Sequence, residues 1–294
     1  MAEKHRNVLL LIDANALIHR FFHALPPFTA PDGSPTNALY GISGILLKII
    51  KERHPEYIAA AFDRPEPTFR EEQYKEYKAH RPPTATELVS QIITSREVFG
   101  WFGIKTFEIP TFEADDIIGT LAERFKNEKN LQVLILSGDN DVLQLVDGEK
   151  VAAEMLKTGI TDTKTFGPKE VLEKYGLPPE KLADYKGLIG DTSDNIPGVK
   201  GIGPKTAATL LKDFGTVEEI FESLAIVSNK TVAKKLEGQK EIALMSKHLA
   251  TIRRDSPVPV SKLEDLKVPP LDKAALKSNF LKLGFKSLVE RMEK

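Results

Sequence analysis

A parallel-sheet α/β domain followed by a smaller helical domain is the architecture that this 294-residue sequence predicts. Three observations carry it. Val8-Leu-Leu-Leu-Ile12, Tyr57-Ile-Ala-Ala-Ala-Phe62 and Gln132-Val-Leu-Ile-Leu136 are continuous apolar runs without period-2 alternation, as strands covered on both faces require. Helically spaced stretches at 38–51, 87–102 and 115–126 are interleaved with them, and strand–helix alternation marks a parallel sheet. From about Leu177 the strand-like runs stop, and helical patterns at 206–214 and 217–224 are punctuated by Pro178-Pro179, Pro197-Gly198 and Gly201-Ile-Gly203-Pro204.

This order divides the chain at 1–175 (α/β), 176–265 (helical) and 266–294, a carboxyl-terminal segment read as a linker or docking tail. Composition is ordinary for a globular protein, 41% hydrophobic and 28% charged. The absence of cysteine excludes disulfides, thiolate metal sites and a cysteine nucleophile, so any metal must be held by oxygen or histidine. No apolar run approaches the roughly 18 residues of a membrane helix. The charged start Glu3-Lys-His-Arg6 opens no signal-peptide pattern, and a cytoplasmic location is the expectation. A net charge of −1 gives no bulk indication of a nucleic-acid partner, so charge placement must decide.

The acids are placed informatively. Asp13 follows Ile12, Asp63 follows Phe62, and the turn Ser137-Gly-Asp139-Asn-Asp141 follows Leu136. In a parallel sheet these three strand ends point the same way, and ligands bind at that carboxyl edge. Glu113, Asp115 and Asp116 open the helical run from Ile117, with Glu113 and Asp116 sharing a face. Asp191-Thr-Ser-Asp194 repeats the i, i+3 spacing in a Gly-rich approach to a turn. Singly, each group has an ordinary explanation as a strand-end turn, a helix start or an acidic loop. Nine together would repel by several kcal/mol unless cations neutralised them, which points to Mg²⁺, with Mn²⁺ as a substitute, held through carboxylates, water and substrate phosphate. Two such ions clamp a phosphodiester and activate water. An aspartate-nucleophile phosphatase would want an acid two residues after Asp13, where Asn15 stands.

Two further segments carry positive charge. Pro197-Gly-Val-Lys200-Gly201-Ile-Gly203-Pro204-Lys205-Thr206 reads as a glycine hairpin leading into a helix, and from Asn195 to Lys212 there are three lysines and no acid, which suits a nucleic-acid backbone. It is no nucleotide P-loop, since Pro204 stands where the lysine belongs. After Asp63 comes a polar stretch with Arg70, Lys75, Tyr77, Lys78, His80 and Arg81 among three glutamates. Its spacing also fits a plain solvated helix, but its position after a rim aspartate would bring cations and an aromatic ring to a single strand. Arg20 could meet a terminal phosphate.

Leu11-Ile-Asp13, Ala61-Phe-Asp63, Phe69-Arg70 with Tyr77-Lys78, Glu113-Ala-Asp115-Asp116, Ser137-Gly-Asp139-Asn-Asp141 with Gln144-Leu-Val, Gly190-Asp191-Thr-Ser-Asp194-Asn-Ile-Pro-Gly198 and Gly201-Ile-Gly203 together resemble the 5′ nuclease family. That family includes flap endonucleases and the amino-terminal 5′→3′ exonuclease domain of bacterial DNA polymerase I, and the resemblance spans about residues 7–285. It implies a PIN-like nuclease core with a helical arch at about 66–95, then a helix-hairpin-helix DNA-binding domain. Asp13, Asp63, Glu113, Asp115, Asp116 and Asp139 would serve one metal region, and Asp141, Asp191 and Asp194 the other. Lys78 and Arg81 would stabilise the reacting phosphate from the arch, while Arg20, Arg70 and Tyr77 would contact the 5′ strand or help order the arch. Lys200, Gly201, Gly203, Lys205 and Thr206 would grip duplex DNA, with K⁺ between hairpin carbonyls and phosphate.

The implied protein is a monomeric, structure-specific 5′→3′ exonuclease and flap endonuclease of replication and repair. It would act on DNA with a 5′ flap, nick or frayed 5′ end, with a DNA polymerase as possible partner. Subtracting the nine proposed ligands changes the net charge from −1 to +8, so the remainder is basic. Asn140 departs from relatives that carry Lys or Arg there, and Phe280 to Met292 resembles the lead into the next domain of a polymerase. The rivals are a DNA-structure-binding protein without turnover, which needs no full carboxylate set, and a metal-dependent phosphatase, which gains nothing from the hairpin.

Overall fold

In the computed structural model, residues 6–157 and 162–293 are described, so the start at Glu3, Lys4 and His5 lies outside them. The chain runs β1 (Asn7–Asp13), α1 (Ala14–Ala24), α2 (Asn37–Arg53), β2 (Tyr57–Ala61), α3 (Phe69–Gln73), α4 (Thr86–Trp101), β3 (Lys105–Phe107), α5 (Ala114–Phe125), β4 (Leu131–Ser137), β5 (Val151–Leu156) and β6 (Thr163–Phe166). Helices follow: α6 (Pro168–Tyr175), α7 (Leu182–Ile189), α8 (Pro204–Phe214), α9 (Val217–Glu222), α10 (Lys230–Leu236), α11 (Lys240–Ala250), α12 (Lys273–Lys282) and α13 (Lys286–Glu293).

The strands form one sheet in the order β3-β2-β1-β4-β5-β6, parallel except for the last, antiparallel pair. Strand order reverses beside β1: β2 and β3 lie to one side, β4 and β5 to the other. Such a switch point opens a crevice beyond the carboxyl ends of the strands, where Asp13 and the Ser137–Asp141 turn lie. Alternation along β1 shows why its run is apolar throughout. Leu9 and Leu11 face α5, whereas Leu10 and Ile12 face α1, α2 and α4, and all four are buried.

Two expectations about organisation are corrected. Residues 266–294 form no linker: Leu276, Phe280, Phe285 and Leu288, at most 2% exposed, pack with α2 and α4 on one face of the sheet. Residues assigned to the helical domain also return to the sheet, since Ile252, Val258 and Val260 join the core on the opposite face, together with Leu266 of the carboxyl-terminal segment. The helical unit proper has its own core of Leu188, Val199, Ile202, Leu210, Leu211, Ile220 and Leu236. The expected helical arch is also different. Only the five-residue α3 is helical between Asp63 and α4, and turns follow it at 75–80. Rather than arching, α4 is a body helix whose buried Gln91 caps the start of α2 by accepting from Ala38 N at 2.8 Å.

Candidate metal centre and nucleic-acid interface

Asp13 ends β1 and caps α1, accepting from Ala16 N at 3.0 Å and from Ser137 Oγ at 2.7 Å. Both its cap and its rim positions are therefore real. Asp63, just beyond β2, accepts from Ala114 N at 2.7 Å and so ties the sheet edge to the start of α5. That helix begins with Glu113 as its cap and Asp115 in its first turn. Asp139 caps the turn of 3₁₀ helix at Asn140–Leu145, accepting from Asp141 N at 3.0 Å. With Asp194 from the helical unit, Asp13, Asp63, Glu113, Asp115, Asp139 and Asp141 line one cavity of about 260 Å³.

Burial and crowding leave these carboxyl groups short of positive charge. Burial, then repulsion from Asp63 and Asp139, raises Asp13 to about 7. Asp141 also rises to about 7, through burial and the Asp139 and Asp194 charges, despite attraction from Lys186. Asp63 is raised by burial and Glu113. Asp115 is held well above the carboxylate range by burial and by Asp13, Asp139, Asp141 and Glu113; among the described residues its side chain accepts no hydrogen bond.

Ammonium groups fill some of the gaps. Lys78 Nζ donates to Glu113 at 2.6 Å, and Lys186 Nζ bridges Asp141 and Asp191, the latter at 2.5 Å. Burial disfavours both charges, but the neighbouring carboxylates outweigh it and raise both lysines. Burial likewise raises Asp191, yet Lys186 and the hydrogen bonds from Lys186 and Ser193 leave it below its ordinary value. Among the described residues no three His, Asp or Glu side chains stand close enough to chelate one ion. The donor chemistry nonetheless fits hard divalent cations: oxygen-only donors on one concave rim, with burial and mutual repulsion raising Asp13, Asp63, Asp115 and Asp141.

The nine expected ligands do not behave alike. Seven share the first cavity, and Asp191 faces a second of about 470 Å³ that Asp141, Lys186, Tyr175 and Tyr185 also line. Asp116 is the exception and a correction: fully buried, it points away from the rim and grips Arg70 through both oxygens at 2.7 Å. Of the two roles expected of Arg70, strand contact or ordering of the arch, its 2% exposure in this structure favours the second. The guanidinium spends its remaining donors on Glu113 (3.1 Å) and the carbonyls of Leu249 (2.8 Å) and Thr251 (2.9 Å), so all five N–H groups are satisfied. Tyr77 is buried too, and its hydroxyl lies 3.1 Å from both Glu113 and Asp194. Arg70 and Tyr77 thus order segment 69–81 instead of reaching outward. Lys78 sits in the left-handed region (φ 53°), fixed by its N–H on Asp194 O at 2.9 Å, a strained conformation that side-chain and backbone partners must hold. Arg81, on the cavity wall, donates to Asp194 at 2.6 Å. Arg20 packs on the Ser137–Gly138 turn, outside the cavity, with its Nε buried and without a partner among the described residues.

The hairpin between α7 and α8 depends on glycine. A Cβ on Gly198 (φ +63°) would lie 2.2 Å from Gly190 N, so the two strands of the loop meet backbone to backbone. Lys200, Gly201, Gly203 and Lys205 are exposed on it and Thr206 half-exposed, and Pro204 starts α8. Sequence reasoning missed Lys186, whose signal was a lone cation on the mostly apolar helix Leu182–Ile189. It also missed Lys235, whose ammonium rests on the Gly201 carbonyl, and Asn15, which accepts from Asp63 N at 3.3 Å.

Residues 8–176 match the family described as 5′-3′ exonuclease, N-terminal resolvase-like domain, and residues 177–274 match 5′-3′ exonuclease, C-terminal SAM fold. DNA polymerase I of Bacillus caldotenax is 44% identical over 97% of this chain, which spans 32% of that relative's length. The 5′-3′ exonuclease of Aquifex aeolicus is 37% identical, with 97% of this chain and 95% of the relative covered. Among solved structures, a bacteriophage T5 flap endonuclease in a pseudo-enzyme–product complex with DNA and metal ions superposes at TM-score 0.69, with 21% identity over 98% of this chain and 100% of that one. The catalytic core of Rad2 in complex with DNA substrate superposes at 0.64, with 16% identity over 98% and 93%. These two likenesses show a shared fold, whereas the family matches and the Aquifex relative decide the assignment: the chain belongs to the 5′-3′ exonuclease family, as a domain homologous to the amino-terminal part of bacterial DNA polymerase I.

Proposed function

We propose that this chain is a structure-specific 5′ nuclease that hydrolyses DNA phosphodiesters at a flap, nick or frayed 5′ end with two divalent cations, Mg²⁺ or Mn²⁺. The observation that carries the proposal is the convergence of seven acids from both units on one cavity at the switch point of the sheet. Asp13, Asp63, Glu113, Asp115 and Asp139 would hold one ion region, and Asp141, Asp191 and Asp194 the other. Bound there, the ions would supply an activated water and charge neutralisation at the phosphate.

The chain's own residues do the rest. Lys78 and Arg81 lie at the cavity on salt bridges to Glu113 and Asp194; with cations on the acids, both side chains become available to the reacting phosphate. Arg70 and Tyr77 fix the segment that carries them. The hairpin docks duplex DNA through exposed N–H groups and Lys200 and Lys205. No helix among the described residues is long and apolar enough to cross a membrane, and a cytoplasmic monomer acting in replication and repair beside a DNA polymerase is the reading we adopt.

The test is cleavage of a 5′-labelled flap duplex with Mg²⁺ and with EDTA. Cutting near the junction that requires the metal supports the proposal. Binding without cutting in Mg²⁺ or Mn²⁺ would favour a DNA-structure-binding protein, and turnover of small phosphate esters alone would favour a phosphatase.

A further inference from the structure

We propose that Lys235 is a tethered cation for the DNA backbone, standing where a free monovalent ion would otherwise bridge hairpin and phosphate. The inference rests on the reading that duplex DNA docks at this hairpin. Lys235 comes from α10, and its Nζ donates to the Gly201 carbonyl at 3.0 Å. Its stem lies flat on that glycine, where an added Cβ would stand 3.2 Å from Lys235 Cδ and 3.3 Å from Cε. With φ at +85°, Gly201 is reserved for glycine by conformation as well as by this contact.

Gln239 locks the arrangement. It accepts from Lys200 N at 2.9 Å and donates to Lys235 O at 2.5 Å, so α10 and the hairpin are stitched together at two points. Lys235 is exposed and keeps two ammonium donors free, and neither it nor its neighbours Lys200, Lys205 and Lys234 pairs with an acid among the described residues. The N–H groups of Gly201 and Gly203 likewise have no protein acceptor among them. The surface therefore presents fixed backbone donors beside a positive charge whose position is set by a carbonyl, the geometry of an anion site. The same contact argues against the expected K⁺: an ammonium already occupies the Gly201 carbonyl, one of the hairpin carbonyls open to such an ion. Duplex affinity should therefore be indifferent to the identity of the monovalent cation.

The experiment is fluorescence anisotropy of a labelled flap duplex in EDTA, with K⁺ or the bulky tetramethylammonium ion at equal ionic strength, for wild type, Lys235→Met and Lys235→Arg. The expected result is wild-type affinity equal within about twofold in the two salts and a roughly tenfold loss in Lys235→Met that K⁺ partly restores. The salt slope should drop by about one, and Lys235→Arg should behave nearly as wild type. A wild type that needs K⁺, or a Lys235→Met variant with unchanged affinity and slope, would overturn the proposal while leaving hairpin docking intact. Loss of duplex binding by the wild type in both salts would overturn hairpin docking and the lysine's role together.

Discussion

Replacing Arg70 by Met removes a buried cation whose five N–H groups are all satisfied and strands its partner. The guanidinium is buried, forms a two-pronged pair with Asp116 and ties α3 to α5 and to the carbonyls of residues 249 and 251. Burial lowers the guanidinium's proton affinity, but Asp116 and Glu113 more than offset this, so the guanidinium stays charged at any working pH. Breaking one side of a buried pair costs about 3–5 kcal/mol because an uncompensated charge remains. For domains that are stable by about 5–15 kcal/mol this is a large fraction, corresponding to a drop in Tm of about 10 °C. The assay is thermal and urea unfolding of wild type, Arg70→Met and Arg70→Met/Asp116→Leu, alongside the salt slope of flap binding. The double variant should recover most of the loss, since removing both charges leaves nothing unpaired. An Arg70→Met protein as stable as wild type but with a salt slope lowered by about one would refute this reasoning and return Arg70 to the DNA surface.

Other outcomes follow from the same geometry. Asp13 holds its proton to about 7 when folded and to 3.8 when unfolded. Between those values the folded state binds more protons, so metal-free stability should fall as pH rises through that window, by up to about 4 kcal/mol at 1.36 kcal/mol per pH unit; urea midpoints in EDTA at pH 5 and 8 check the sign. Asp115→Asn should raise Tm in EDTA at pH 8 while abolishing cleavage, because it relieves repulsion from four neighbouring acids. Lys186→Met leaves Asp141 and Asp191 facing each other, so its Tm should drop in EDTA and rise more steeply with added Mg²⁺ than that of wild type. Phe280→Ala should cost about 3–5 kcal/mol as a core cavity, measured by urea unfolding, whereas a true linker position would cost almost nothing.

The sheet was legible where burial is two-sided. Val8–Ile12 alternates between two cores, which forbids polar residues at every position and leaves an unbroken apolar run. By contrast β3 has three residues, and β5 carries a buried Glu154 that is affordable only because Arg53, Thr163 and Thr165 satisfy it; a sequence scan cannot see those partners. The rim acids were readable because strand ends fix their positions. Asp116 was not distinguishable from Asp115, since a helix start accepts either, and only the direction of one Cβ into the core separates ligand from ion-pair anchor. Residues 252–265 read as part of the helical domain and 266–294 as a tail because their apolar positions are sparse, yet 252–266 and 276–289 fill opposite faces of the sheet.

The most direct measurement is single-turnover flap cleavage in Mg²⁺ beside flap binding in EDTA, for wild type and an Asp139→Ala/Asp191→Asn variant that removes one acid from each ion region. The account predicts that the variant binds the flap at least as tightly as wild type, having shed negative charge next to a phosphate, and cuts it at least about a thousandfold more slowly. A variant that still cuts within tenfold of wild type would contradict the assignment of the carboxylate cavity as the site of hydrolysis.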